Sequence, residues 1–258
     1  MLAATDPQSA VVAAPAAATP PPLPAHQSVD PGRSAGWWAD AVLILWRHPL
    51  RWLALGVVVM LALGGLAWLP WVGVLASAWL TPVLLGGWVR LAHDARAGTA
   101  PGLRGLFAGF STPHRRPLAT LGAALAGSTL LVLLVSRGLG LDALAAYVAL
   151  DGPENALAQA QMGTRMLALL VLLTFSLFVS AALWFAPALV VLRGATPLAA
   201  ALASLRAVRD NALTFLLFAV VQLLLAAAGS LPYHVGWVVM APVMLLTTYV
   251  SYRDVFED

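Results

Sequence analysis

The chain reads as an all-α polytopic membrane protein: a bundle of six transmembrane helices arranged as three hairpins, with amphipathic helices at the cytoplasmic interface. Three observations predict it. The composition is 61% hydrophobic and 10% charged, six long apolar runs follow one another, and the basic residues fall almost entirely on one side of those runs. Soluble domains are roughly 45–50% apolar and about 25% charged, so this chain has too little polar surface to cover itself in water.

The first 35 residues are read as a separate cytoplasmic tail, with residues 36–258 forming the six-helix domain. The tail is rich in Ala and Pro, includes Pro20-Pro21-Pro22 and has no apolar periodicity. It cannot bury enough surface to offset chain entropy and is expected to be disordered. It has no basic n-region followed by a compact apolar stretch, so no cleaved signal peptide is expected and the first spanning helix is assigned the targeting role.

The six runs are Leu50–Leu69, Val74–Ala92, Leu118–Ser136, Met166–Val191, Ala212–Ala228 and Val235–Tyr252. Each is near the roughly 20 residues that cross a hydrocarbon core about 30 Å thick. Their only ionised side chains are Arg51 and Arg90, both close to an end. Backbone groups at that depth have no water to bond, so helices are expected, and the short alternating segments of a barrel are missing.

Orientation follows from fourteen basic residues, all arginine. Arg33, Arg47 and Arg51 precede or open the first run; Arg90, Arg96, Arg104, Arg115 and Arg116 lie between or at the edges of the second and third; Arg193, Arg206 and Arg209 separate the fourth and fifth; Arg253 follows the sixth. Only Arg137 and Arg165 remain for the other side, so the division is twelve to two. Over short loops this bias places both termini in the cytoplasm. The tight connections Pro70–Gly73 and Gly229–His234 carry no Arg or Lys, which suits outer turns. Trp68, Trp71, Trp79, Trp88, Tyr233 and Trp237 are placed near interfaces, where amphipathic rings favour the headgroup level. Gly138–Thr164 is read as a connection carrying a short surface helix, with Leu141, Leu144 and Val148 at helical spacing.

A threefold pattern runs through the chain. Trp38, Val42, Leu45 and Trp46 precede the first run; Leu103, Leu106, Phe107 and Phe110 the third; Leu198, Leu202 and Leu205 the fifth. These spacings predict three amphipathic helices lying in the interface. Thr99 with Pro101 and Thr196 with Pro197 mark two of their starts. Each return helix holds one proline, Pro82, Pro187 or Pro242, expected to bend it by removing a backbone hydrogen bond. The plainer reading is that prolines are frequent in membrane helices. Because every unit begins inside, such a repeat is parallel, unlike the inverted repeats of many secondary transporters. Gly64-Gly65, Gly86-Gly87, Gly122 with Ala126, and Ala123 with Gly127 offer small surfaces for close helix approach.

Candidate chemistry is sparse. Arg90, His93, Asp94 and Arg96 cluster at the end of the second run, and Arg104, His114, Arg115 and Arg116 occupy the loop that follows. Guanidinium groups bind phosphate bidentately, so Arg90, Arg96, Arg104, Arg115 and Arg116 are candidate contacts for anionic lipid headgroups. The plainer reading is a solvated basic loop that sets topology and touches anionic lipid, each Arg contributing about 1 kcal/mol at the surface. His93, His114 and Asp94 lack metal-ligand spacing, and no metal or cofactor is expected. With no cysteine, thiol redox chemistry and thiolate metal sites are excluded. Gln222, the most polar side chain deep in a run, reads first as an interhelical hydrogen-bond partner. No nucleophile elbow, zinc-protease motif, phosphate loop or carboxylate pair occurs. No run holds a central ionisable group, which argues against proton-driven transport; sodium coupling at the proline-interrupted helices survives that test.

Trp184-Phe185-Ala186-Pro187-Ala188-Leu189-Val190, the segment after it with Gly194, Pro197, Ala200 and Ser204, and the ending Ser251-Tyr252-Arg253-Asp254-Val255-Phe256 carry a resemblance. So do Gly36-Trp37 and Phe107-Ala108-Gly109-Phe110. Over most of Gly36–Phe256 the chain resembles a family of uncharacterised proteobacterial multi-pass inner-membrane proteins. More loosely it is similar to the membrane domain adjoining some glycerophosphodiester phosphodiesterases. The resemblance implies a membrane location and brings no catalytic residues with it. Three function classes stand at this stage. The favoured one is a non-enzymatic accessory or lipid-organising protein whose partners are membrane lipids and other inner-membrane proteins, not nucleic acid. The second is a permease or lipid-moving protein with a pathway between the proline-containing return helices. The third is an intramembrane enzyme using His93 with Asp94 or His114. The sequence carries no reading of oligomeric state.

Overall fold

The computed structural model describes residues 23–111, 113–141, 156–231 and 236–257. The described residues form helices α1 (Arg33–Arg47), α2 (Pro49–Ala67), α3 (Val72–Arg96), α4 (Leu103–Leu106), α5 (Arg115–Gly138), α6 (Ala156–Trp184), α7 (Ala186–Arg193), α8 (Pro197–Asp210), α9 (Ala212–Ser230) and α10 (Trp237–Phe256), with a 3-10 turn over Phe107–Phe110. Among them no strand occurs.

Five stretches are long and apolar enough to cross a membrane: Pro49–Leu66, Val72–Arg96, Arg115–Gly138, Gly163–Arg193 and Ala212–Ser230. The sequence predicts six, and the difference lies in α10. Twelve of its residues are buried, including Thr247, Thr248, Tyr249, Ser251, Tyr252 and Asp254. A helix enclosed by other helices can carry hydroxyls and a carboxylate that lipid would not tolerate, because protein groups satisfy them. Pro242, inside α10, seats its ring against α2 at Gly56, where an added Cβ would lie 2.9 Å from the proline Cδ.

The fourth run is not one helix. It breaks between Trp184 and Ala186, so that within the Gly163–Arg193 stretch Pro187 stands in the first turn of α7. Ser204 of α8 bridges the break, beside Pro187, which has no N–H to continue the ladder. Its hydroxyl donates to the Ala181 carbonyl at 2.6 Å and accepts the Phe185 N–H at 2.9 Å, entering the ladder where those two groups would bond each other. At the other end of α7, Gly194 adopts φ +66°, and the Ala195 and Gly194 N–H groups bond the carbonyls of Leu189 and Val190. This is the left-handed termination that glycine permits.

The predicted small-residue contacts divide sharply. Gly87 meets the Leu106 carbonyl and Gly122 the Trp79 carbonyl so closely that a Cβ would collide with backbone, while Gly86 faces Leu118 and Val191. Gly64, Gly65 and Gly127 have nothing near them. Close packing is therefore concentrated where α3 meets α4 and α5. Ser77 of α3 also donates to the Leu63 carbonyl of α2 at 3.1 Å. Pro82 lies inside α3.

The amphipathic segments differ from their predicted faces. In α1 the buried residues are Ser34, Trp37, Trp38, Ala41 and Leu45, whereas Trp46 is exposed. Leu103 to Phe110 forms one short helix and a 3-10 turn, with Leu106 inside and Leu103, Phe107 and Phe110 outside. In α8 the small residues Ala200, Ser204 and Ala207 face inward, because the α6 backbone lies against them, and Leu198 and Leu202 point outward.

Among the tryptophans, Trp68, Trp71 and Trp79 are exposed, Trp88 is fully buried against Trp52 with ring centroids 5.1 Å apart, and Tyr233 lies outside the described residues. Trp71 adopts φ 61°, ψ −60°, and the following N–H of Val72 bonds the Pro70 carbonyl at 2.6 Å. That geometry is a γ-turn, a strained conformation for a non-glycine residue. The Arg137 guanidinium stands 4.9 Å from the Trp71 ring. In the connection expected to carry a surface helix, residues 142–155 lie outside the described residues, and α6 already begins at Ala156.

The expected tail also divides. Residues 1–22 lie outside the described residues. Residues 23–32 run along the body without helix, and α1 starts at Arg33. Gln27 N–H bonds the Val255 carbonyl at 2.9 Å, and its side chain donates to the Asp254 carbonyl at 2.8 Å. Asn211, at the α8–α9 junction, accepts from Val29 N–H and donates to the Gln27 carbonyl at 2.7 and 3.0 Å. His26 meets Asp210 at 2.8 Å, and Arg209 with His26 holds the Asp210 carboxyl below its usual range.

Candidate functional site: an arginine-lined cleft

The largest fully buried side chains, Trp37, Trp52, Trp88, Phe185, Tyr249 and Tyr252, belong to the helix ends that carry the arginines. Here residues 184–193 meet the ending at 251–256. Phe185 packs 5.3 Å from Phe256 and 6.5 Å from Tyr252. The Trp184 indole donates to Ser251 at 3.2 Å, and Arg193 donates to the Tyr252 hydroxyl at 3.0 Å.

A charged clasp joins α1 to α10. Asp254, only 6% exposed, accepts Arg33 Nε at 2.7 Å, Trp37 Nε1 at 3.0 Å and an Arg253 guanidinium nitrogen at 3.2 Å. Arg33 also reaches Asp40 at 2.8 Å, and Arg253 stands 3.7 Å from Asp40. Hydrogen bonding to Asp254 raises the Arg33 pKa further above its already high value, with desolvation opposing and Asp40 adding to it. Two arginines and two carboxylates thus alternate across the helix pair.

Beside the clasp lies a cleft of about 250 Å3, bounded by Asp40, Ile44, Arg47 and His48 from the first helix and its turn, Arg96 from α3, and Arg253 from α10. Arg96 also borders a neighbouring depression of about 360 Å3 with His93, Tyr249 and Glu257. The His48-Pro49 corner makes this geometry. His48 ends α1 at φ −145°, ψ 62°, and Pro49 opens α2, where its missing N–H costs nothing. Arg47 and Arg96 form no ion pair with any described carboxylate, so the cleft carries a cationic surplus. Guanidinium forks converging on such a space suit a phosphate-bearing group.

Of the five arginines expected to contact lipid, Arg90, Arg96, Arg104, Arg115 and Arg116, Arg96 lines the cleft. Arg90 is engaged with Asp94 at 3.2 Å, one helical turn on. Arg104, Arg115 and Arg116 are exposed. His114 lies near Arg90, and burial together with that charge lowers its pKa. His93 packs edge-on against Tyr249, with centroids 6.2 Å apart, while Asp94 is held by Arg90. Among the described residues no group of three His, Asp or Glu side chains converges on a metal-sized space. Sequence reasoning missed Arg47, His48 and Arg253 as cleft residues and Asp254 as the buried anchor. The one available signal was an Arg-Asp pair inside the otherwise apolar and aromatic ending.

Comparisons with protein-family models, with curated proteins and with solved structures find no match for this chain.

Proposed function

We propose that this chain is a multi-pass bacterial inner-membrane protein that binds anionic phospholipid headgroups at its cytoplasmic face and serves a non-enzymatic, lipid-organising or accessory role. In this reading both termini are cytoplasmic and α10 is the sixth pass, completing a third hairpin with α9 while shielded by protein. The single observation that carries the reading is the cleft in which Arg47 and Arg96, which form no ion pair with a described carboxylate, stand beside Asp40 and Arg253. The twelve-to-two arginine division supports the orientation, since such residues are retained on the cytoplasmic side. The exposed Leu43, Trp46, Leu50, Leu103, Phe107 and Leu198 supply apolar contact at the same end, as interfacial segments do.

The test is lipid retention. Purified protein is exchanged into vesicles of phosphatidylethanolamine with or without phosphatidylglycerol, and bound lipid is identified by native mass spectrometry. Wild type is expected to retain phosphatidylglycerol preferentially. Arg47→Ala with Arg96→Ala should reduce that preference about thirtyfold, taking roughly 1 kcal/mol for each arginine, with helix content unchanged. Equal retention of the two lipids by the wild type would remove the reading.

A further inference from the structure

A second space lies away from the arginines, at the depth of the bilayer. Between α6 and α9, with α10 behind them, runs a groove of about 460 Å3. Ala181 and Trp184 line it from α6, and Phe215, Ala219, Gln222 and Ala226 from α9. Both flanking helices belong to spanning-length stretches, and the most apolar part of Gly163–Arg193 has no buried residue. The rim residues Leu177 and Leu223 are 62% and 70% exposed, so the groove opens sideways, toward lipid.

At the arginine-rich end the groove meets an aromatic wall. Trp184 lies 5.9 Å from Phe215 and 5.5 Å from Phe218, and Phe218 packs in turn on Trp37 and Trp38 at 5.5 Å. From Phe215 to Ala226 the helix rises about 16 Å, or 1.5 Å per residue. That is about half of a hydrocarbon core roughly 30 Å thick, the depth of one leaflet. The Gln222 side chain makes no hydrogen bond to a described residue, so the interhelical bond expected of it is not made among them. Val208, which borders the groove near the wall, is flanked on α8 by Arg206 and Arg209, both exposed.

We infer that this groove holds one acyl chain of a phospholipid from the leaflet at the arginine-rich end. Hydrocarbon is the occupant its apolar walls, lateral opening and single-leaflet length fit, and Val208, next to the arginine-bearing end of α8, marks the end from which the phosphate of that lipid would emerge. The inference does not rest on headgroup binding in the cleft, which lies among α1, α3 and α10.

The full-length protein is placed in vesicles of phosphatidylethanolamine and phosphatidylglycerol containing a trace of either lipid with a photoreactive diazirine in its acyl chain. Crosslinked positions are then mapped by peptide mass spectrometry. Labelling is expected to concentrate at Ala181, Ala219 and Ala226 over Leu217 and Leu224, which are exposed on the opposite face of α9. Both labelled lipids should give this pattern, so a lost preference for phosphatidylglycerol would strike the cleft reading alone. Ala219→Phe should abolish labelling at Ala181 and Ala226 without changing Leu224. Ala219→Leu serves the same purpose should the larger ring prevent folding. Equal labelling of the two faces would mean ordinary surrounding lipid and would overturn the inference. The chain has no cysteine, so Ser180→Cys provides a single thiol at the groove. Absence of disulfide-linked dimers in oxidised membranes supports a lipid occupant, whereas efficient dimers would place a second copy in the groove and overturn it.

Discussion

Asp254 is the residue on which the charged end of the molecule turns. Its carboxylate is nearly buried and takes donors from Arg33, Trp37 and Arg253, so replacing it leaves two guanidinium groups and an indole facing a weaker or absent acceptor. Breaking one partner of a buried ionic network costs more than the network contributes, because the remaining charge stays desolvated. Asp254→Asn is therefore expected to lower stability by about 2–4 kcal/mol, read by thermal unfolding in detergent. A red shift in tryptophan emission should accompany it as Trp37 becomes wet. Asp40→Asn should cost less, since Asp40 is more exposed and receives one short bond from Arg33. Equal losses for the two variants would contradict this ranking. The sequence displayed Arg253-Asp254 plainly, but nothing in its local spacing marks the carboxylate as buried. Its burial comes from α1 and the strap at residues 23–32, whose contacts lie more than 200 positions away.

At the scale of elements, helix breaks and packing faces separate what periodicity encodes from what neighbours impose. Runs of apolar residues made α2, α3, α5, α6 and α9 legible, since length and hydropathy alone define a spanning helix. Proline marked the region of the α6–α7 break but gave no sign of the Ser204 hydroxyl that enters from α8 to bridge it. Ser204→Ala leaves the Phe185 N–H and the Ala181 carbonyl without their bridge in a buried position. We expect a loss of about 1–3 kcal/mol, with amide exchange accelerating over residues 181–189 and not in α5. Unchanged exchange there would show that the hydroxyl is dispensable to the break. The outward leucines of α8 and the outward Trp46 of α1 follow the same logic. A pattern of apolar spacing identifies a face without saying whether protein or lipid will cover it, and lipid covers leucine as readily as a core does.

Across the whole molecule, the large buried side chains gather at the arginine-rich end, whereas exposed residues such as Leu61, Leu69, Leu134 and Leu177 give the rest an apolar surface. If that end is cytoplasmic, an alkaline phosphatase reporter joined near Gly152 will be active and one joined after Arg96 will be inactive. The reverse pattern would invert the proposed topology. Most of the candidate site was hidden from sequence reading at this scale. Arg47, Arg96 and Arg253 are separated by 49 and 157 positions in the chain and share no motif, so only the docking of α1 between the ends of α3 and α10 makes them neighbours.

Composition and the placement of arginine were sufficient to define a helical chain suited to a bilayer, because hydrocarbon admits few solutions for backbone polar groups and penalises charge at its centre. Which side chains converge on the cleft, why α10 tolerates a polar face, and where α6 stops were decided by helix packing. Those outcomes depend on contacts between residues far apart in the chain, and local periodicity holds no record of such contacts.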